Sequence, residues 1–255
     1  LREMLYITKL RFTMTKIGEM PYLNSEIFYL NKNPKFDYVK LTPKKMGEAI
    51  NNNEIDTGPI SLIDYINIKN LIPLNDYCVS TKKSANSVFL FSQKKLNEVN
   101  NVFVTDETST SVILLKVLNK FFWKNKDLSL EVENKKGESN LIIGDNALKV
   151  FNNNDYRYVY DLGYEWNKFT GLPFVFALWA FKSLDDNELS NLKKTINLSL
   201  DNYQNSVETI IKNNKKSYLS NSKIFEYLNG FTYKIGNSEE KAIKIFKEMY
   251  NELEL

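Results

Sequence analysis

An α/β fold is predicted by three features of the 255-residue chain. Short apolar runs alternate with amphipathic stretches of helical period, the signature of strands interleaved with helices. Apolar residues make up 43% and charged residues 25%, enough for a full core beneath an ordinary solvated surface. Two strongly apolar strands, 87–92 and 173–182, bracket a central block that has strands and helices of its own. That spacing suits two lobes joined by a pair of crossing segments. The first lobe then takes 1–91 plus 177–255, and the second takes 92–176.

The elements follow in order. Ile17-Gly18 opens the first strand. Thr42 and Pro43 predict a helix start, with the helix running to Asn51. The run EIDTGPIS (54–61) reads as a strand ending in a polar turn, and SVFLFS (87–92) and NVFVTD (101–106) as two more. A hydroxyl-rich turn then feeds a long helix over 107–123. NLIIGD (140–145) reads as a buried strand followed by a short helix, and PFVFALWAFK (173–182) as another strand. Beyond it the chain reads as helix over 185–213, 220–228 and 238–253, the last with Ser238 as N-cap and Glu239 and Glu240 in its first turn. Residues 1–13 read as an upstream extension, with Met14 as the natural start.

Composition removes whole classes of chemistry. The chain has no histidine, so Ser-His-Asp and Cys-His triads and imidazole ligation are excluded. The single cysteine, Cys78, allows no internal disulfide and no thiolate cluster. No metal site is expected. The formal charge is only +3, and the lysine pairs are scattered, so no nucleic-acid track is expected. No run approaches the roughly 20 apolar residues of a spanning helix, and charges interrupt the N-terminal stretch, which lacks a signal peptide's apolar centre. No membrane association and a cytoplasmic location are the expectations. Glycine-rich phosphate motifs are missing, so no cofactor is expected.

Four polar clusters sit where strands end, the place at which open α/β sheets put ligands. They are Tyr22-Leu23-Asn24-Ser25, Ser84-Ala85-Asn86-Ser87, Thr108-Ser109-Thr110-Ser111 and Thr170-Gly171-Leu172-Pro173-Phe174. The third would place unpaired backbone N–H groups and hydroxyls at a helix start, an anion site. Plain helix capping explains the same residues. Asp145 reads either as a catalytic acid at a strand end or as the cap of the next helix. Trp166, Phe174, Phe176 and Trp179 read as core and hinge packing.

Five segments together are more specific than any cluster: MPYLNSEIFY (20–29), EIDTGPISLIDY (54–65), DETSTSVILLKVL (106–118), IIGDNAL (142–148) and DLGYEWNKFTGLPFVFALWA (161–180). They resemble the menaquinone-biosynthesis family of the futalosine route, on its chorismate-dehydratase branch, from about Lys16 to the C-terminus. The resemblance implies a type II periplasmic-binding-protein-like fold, with two lobes closing on a ligand. It also implies loss of water from chorismate to give 3-[(1-carboxyvinyl)oxy]benzoate, driven by aromatisation and needing no cofactor. The sister enzyme of that route, a 1,4-dihydroxy-6-naphthoate synthase, typically uses a catalytic histidine that this chain lacks. A non-catalytic carboxylate-binding protein is the other alternative.

On this reading Asn24 and Asp145 are the catalytic candidates, with the substrate's own enolpyruvyl carboxylate as the alternative proton acceptor. Ser25, Ser61, Asn86, Ser87, Thr108, Ser109, Thr110, Ser111, Thr170, Gly171, Pro173 and Phe174 are the candidates for substrate binding. The partner is a small molecule, chorismate or a related carboxylate. Two departures from the family pattern lie near the expected ligand: Glu26-Ile27, where a proline is usual, and the glycine-free turn 82–87.

Overall fold

Two β-sheets organise the chain in the computed structural model, which describes residues 14–105, 109–132, 137–153 and 155–253. The expected extension 1–13 and Thr108 lie outside the described residues. The first sheet contains β1 (Thr15–Glu19), β2 (Phe36–Lys40), β3 (Thr57–Ser61), β4 (Ile72–Thr81), β10 (Val175–Phe181) and β11 (Phe231–Lys234), in the order β11-β4-β10-β3-β1-β2. The second contains β5 (Val88–Ser92), β6 (Asn101–Val104), β7 (Ser129–Val132), β8 (Ser139–Ile143) and β9 (Tyr158–Asp161), in the order β7-β6-β8-β5-β9. Both mix parallel and antiparallel pairs: β1 runs parallel to β2 and β3, whereas β10 is antiparallel to β3 and β4.

The chain leaves the first sheet after Thr81 and returns to it at Val175. The two crossing segments bond to each other: Thr81 N–H donates to the Phe174 carbonyl at 3.0 Å, and Phe174 N–H donates to Thr81 Oγ1 at 3.1 Å. The boundaries expected at 91/92 and 176/177 are therefore displaced. Val88–Ser92 pairs with β8 and β9 of the second sheet, and Val175 pairs with Ser80 of the first. The apolar pattern finds both strands but does not say on which side of a crossing each one pairs.

The helices cover the sheets as their apolar faces require. In the first lobe α1 (Pro43–Asn51) buries Met46 and Ile50, and α2 (Leu62–Asn67) follows directly on β3. The second lobe holds α3 (Thr110–Leu118), α4 (Gly144–Asn153) and α5 (Leu162–Thr170). The stretch 185–213 is two helices, α6 (Asp186–Leu200) and α7 (Tyr203–Asn213), divided at Asp201-Asn202. Then come α8 (Asn221–Asn229) and α9 (Asn237–Asn251). Ser238 is not the N-cap of α9. That place falls to Gly236, whose N–H is bonded by the Glu239 carboxylate, while Ser238 sits inside the first turn and donates to the same carboxylate.

A large aromatic cluster holds the crossing region. Phe174 packs edge-on to Trp166 and to Phe246 of α9, with ring centroids 5.4 and 5.0 Å apart. Trp166 is fully buried, and its indole N–H donates to the Pro173 carbonyl at 2.9 Å. No helix among the described residues is long and apolar enough to cross a membrane.

Candidate active site

A cleft with an empty volume of about 560 Å³, its open mouth included, lies between the lobes. Its polar lining is Tyr22, Asn24, Ser25, Ser61, Ser87, Thr110 and Ser111, and its apolar walls include Met20, Pro43, Val88, Ile143, Phe176 and Phe231. None of the described lining residues carries an ionisable acid or base of ordinary strength at neutral pH. An anion placed here meets hydroxyls, an amide and backbone dipoles only.

Each polar group is held by a local device. Asn24 and Ser25 lie on a 3-10 helix (Leu23–Tyr29) that begins just after β1. Ser25 Oγ donates to Asn24 Oδ1 at 3.1 Å, which leaves the two amide donors of Asn24 for a ligand. Thr110 and Ser111 form the first turn of α3, are both buried and line the cleft, so the start of that helix borders it. Thr110 Oγ1 accepts the N–H of Ile63 at 3.1 Å, tying the start of α3 to α2 in the other lobe. Ser87 accepts the hydroxyl of Tyr227 at 2.8 Å and donates to the Ala85 carbonyl at 3.2 Å. Burial pushes the Tyr227 phenol far above its ordinary range, so it stays a neutral donor.

The first crossing segment is shaped by Asp161, at the end of β9. Its carboxylate accepts the N–H groups of Ala85 at 2.9 Å, Asn86 at 2.7 Å and Tyr164 at 3.0 Å. Burial, the largest effect, raises its pKa against the pull of those donors. Asn86 takes the left-handed backbone conformation, φ +53°, the turn that a glycine would otherwise make. Gly163 also matters here, because a Cβ on it would stand 2.8 Å from the Ala85 nitrogen.

Gly144 is the other glycine that the site requires. It adopts φ +61°, and a Cβ there would meet the Tyr22 ring at 2.9 Å. Its neighbour Asp145 is absent from the cleft wall. Asp145 Oδ1 accepts the Leu23 N–H at 3.1 Å, and Oδ2 pairs with Lys216 at 3.2 Å. Lys216 also pairs with Glu26 at 2.7 Å, so the Glu26 departure from the family pattern supplies an ion-pair partner. Burial lowers the Lys216 pKa, but Glu26 and Asp145 outweigh it and the net shift is upward. The carboxylate of Asp145 thus joins α4 to the segment that carries Asn24.

The structure brings Asn24, Ser25, Ser61, Ser87, Thr110 and Ser111 to the lining of one cleft. The remaining candidates lie elsewhere. Asn86 lines a separate pocket behind Tyr227, together with Phe151 and Lys223. Ser109 bonds the carboxylate of Asp64. Thr170 donates to the Trp166 carbonyl at 2.7 Å and accepts the Leu172 N–H, while Gly171 caps α5 at φ +69°. With Pro173 and the buried Phe174 they build the return crossing rather than the cleft lining. Sequence reasoning passed over Asp64, Tyr227 and Lys216. Only Asp64 left a signal, the Ser61-x-x-Asp64 spacing of a capping box.

Comparison with known proteins agrees with this architecture. The chain is 29% identical over an alignment 258 positions long to a chorismate dehydratase of Campylobacter jejuni, covering 93% of this chain and 98% of that one. It is 27% identical over 191 residues to a chorismate dehydratase of Thermus thermophilus, covering 64% of this chain and 70% of that one. Among solved structures, a protein from Archaeoglobus fulgidus superposes with a TM-score of 0.69 at 14% identity, covering 92% of this chain and 96% of that one. A Candida albicans protein described as having the generic periplasmic binding protein fold gives 0.61 at 12% identity, covering 94% and 90%. These structural likenesses show the fold, a periplasmic-binding-protein-like pair of α/β lobes. The family profile described as menaquinone biosynthesis matches residues 15–252, and the chain belongs to that family.

Proposed function

We propose that this chain is a hydro-lyase that dehydrates chorismate to 3-[(1-carboxyvinyl)oxy]benzoate in menaquinone biosynthesis. One observation carries the reading: a cleft lined by hydroxyls, an amide and the start of a helix, with no acid or base of ordinary strength on its described lining. Two substrate carboxylates suit such a wall, since each charge-assisted hydrogen bond contributes roughly 1.5–3 kcal/mol. Donors fixed before the substrate arrives need no reorganisation during the reaction. Aromatisation of the ring drives the loss of water, so the protein must hold, orient and shield the substrate.

The proton acceptor in this reading is the substrate's enolpyruvyl carboxylate. Asp145, the other candidate, is engaged by Leu23 N–H and Lys216 and stands off the wall. Asn24, at the mouth of the 3-10 helix, donates to the reacting end of the substrate. The first turn of α3 binds carboxylate, with Ser87, its hydroxyl held by Tyr227 and the Ala85 carbonyl, lining the cleft beside it. A cytoplasmic location goes with the same reading, because a biosynthetic step meets its small-molecule substrate there.

The test is direct. Purified protein is incubated with chorismate, and the mixture is searched by mass spectrometry for the aromatic product lighter by one water. Product formation at catalytic turnover is expected. Tight carboxylate binding with no product would leave the chain a binding protein.

A further inference from the structure

Chorismate with both carboxyl groups ionised has a single hydrogen-bond donor, its ring hydroxyl. Dehydration removes that hydroxyl, so the product keeps both carboxylates and has no donor at all. A cleft made only of donors would hold substrate and product alike. Ser25, Ser61 and Ser87 each commit their hydrogen within the protein, to Asn24, Asp64 and the Ala85 carbonyl, and of the three Ser61 alone commits it to a carboxylate.

The Ser61 hydroxyl donates to Asp64 Oδ2 at 2.6 Å, and its oxygen accepts the Asp64 N–H at 3.3 Å. Asp64 is bonded by the Ser109 side chain as well, which reaches it from the other lobe. Gly47 of α1 makes the room, since a Cβ on it would stand 2.5 Å from Asp64 Oδ2. Helix capping accounts for the N–H bond. It does not account for the direction of the hydroxyl or for the approach of Ser109. An ionised carboxylate only accepts, so the Ser61 hydrogen is committed to Asp64, and Ser61 offers the cleft a lone pair.

We propose that Asp64 positions Ser61 as a charge-held hydrogen-bond acceptor in the cleft, and that this pair selects the hydroxylated substrate over its dehydrated product. The inference rests on the dehydratase reading. A site that pairs a substrate hydroxyl rejects the analogue lacking it, because a buried polar group is then left bare. Ser61 is 3% exposed, so water does not readily replace the missing partner. The consequence is release of product against the pull of the carboxylate donors.

The experiment measures dissociation constants for chorismate and for the product by calorimetry, with turnover recorded alongside. Wild type is expected to hold chorismate more tightly than product. Ser61→Ala should shrink that ratio by about tenfold, the factor matching one orphaned neutral acceptor, and Ser61→Thr should restore most of it. Asp64→Asn should move the ratio the same way, and the Ser61→Ala/Asp64→Asn double variant should add nothing to Ser61→Ala. Gly47→Ala, which displaces the carboxylate without replacing either residue, gives the same direction if Asp64→Asn folds poorly. Acidification should erode the preference as Asp64 takes a proton and frees the Ser61 hydrogen. Burial, more than its neighbours Glu48 and Lys44, holds that carboxyl above the ordinary range. Equal weakening of substrate and product by Ser61→Ala would overturn the proposal. Failure of wild type to convert chorismate would instead remove the dehydratase reading.

Discussion

Asn24 and Asp145 separate two kinds of contribution at the scale of single residues. Asn24 faces the cleft, with its carbonyl oxygen taken by Ser25 and its amide donors left for a ligand. Asn24→Ala should therefore lower kcat/KM by roughly 10–100-fold, the loss of one charge-assisted bond, with the fold unchanged by circular dichroism. Asp145 faces Lys216 and the Leu23 amide. Asp145→Asn keeps an acceptor for Leu23 and loses the charge that Lys216 pairs with. It should raise KM several-fold with kcat within about tenfold of wild type, and Lys216→Ala should behave similarly. A general base at Asp145 would instead lose about 10²–10⁴ in turnover, with Lys216→Ala leaving turnover alone. Steady-state kinetics on the pair of variants decides between the roles.

At the scale of elements, the crossing segments explain how a fold with few glycines poses the ligand-facing serines. The turn 84–87 has no glycine, yet Asn86 supplies the left-handed residue and Asp161 ties the Ala85 and Asn86 amides leading into it. Asp161→Ala strips several N–H donors at once. The Ala85 donor is partly buried and the Asn86 and Tyr164 donors are exposed; with one buried donor left bare costing about 1–3 kcal/mol, unfolding in urea should show a loss of about that size. Gly163→Ala presses on the Ala85 nitrogen from the first turn of α5 and should cost about 1–3 kcal/mol as overpacking. A Gly163→Ala protein of wild-type stability would show that the contact relaxes freely. Both variants act on Ser87 through the segment that carries it, so kcat/KM should fall with stability.

At the scale of the whole molecule, the lobes meet through α4 on one side and the 3-10 helix and the 214–223 segment on the other. Asn152 donates to the Tyr218 carbonyl at 2.9 Å and accepts from Lys223 at 2.6 Å, beside the Lys216–Asp145 pair. The raised pKa of Lys216 fixes the sign of a pH effect. Its stabilising contribution is fully present below the ordinary lysine value of about 10.4 and is lost as pH rises through the higher folded-state value. Wild type should therefore lose more stability than Lys216→Met between neutral and strongly alkaline pH, measured by urea unfolding. Equal losses would remove the linkage. A ligand that binds only the folded protein should also raise the melting temperature, adding about 2.7 kcal/mol at a hundredfold excess over its Kd.

Much of this organisation was legible in the residues. Alternating apolar runs placed β5, β8 and β10, because a buried strand cannot hide its composition. The central strand β4 was not legible: Asn75-Asp76 interrupts its pattern where the strand is exposed and its register with β10 shifts, and only pairing on both sides makes it a strand. Likewise the hydroxyl clusters marked Ser25, Ser87, Thr110 and Ser111, but the cluster at 170–174 looks equally polar and serves the crossing instead.

The sequence by itself determined the α/β class, the family and the chemistry that is out of reach, since a chain without histidine cannot use an imidazole however it folds. Tertiary structure decided which polar groups face the ligand and which face one another. Asp145 and Asp64 are both carboxylates near strand ends, and along the chain only the Ser61-x-x-Asp64 spacing sets one apart. Their partners tell their roles apart: Lys216 and Leu23 for the one, Ser61 and Ser109 for the other. Lys216, Leu23 and Ser109 come from distant segments, so those contacts exist only once the lobes have met.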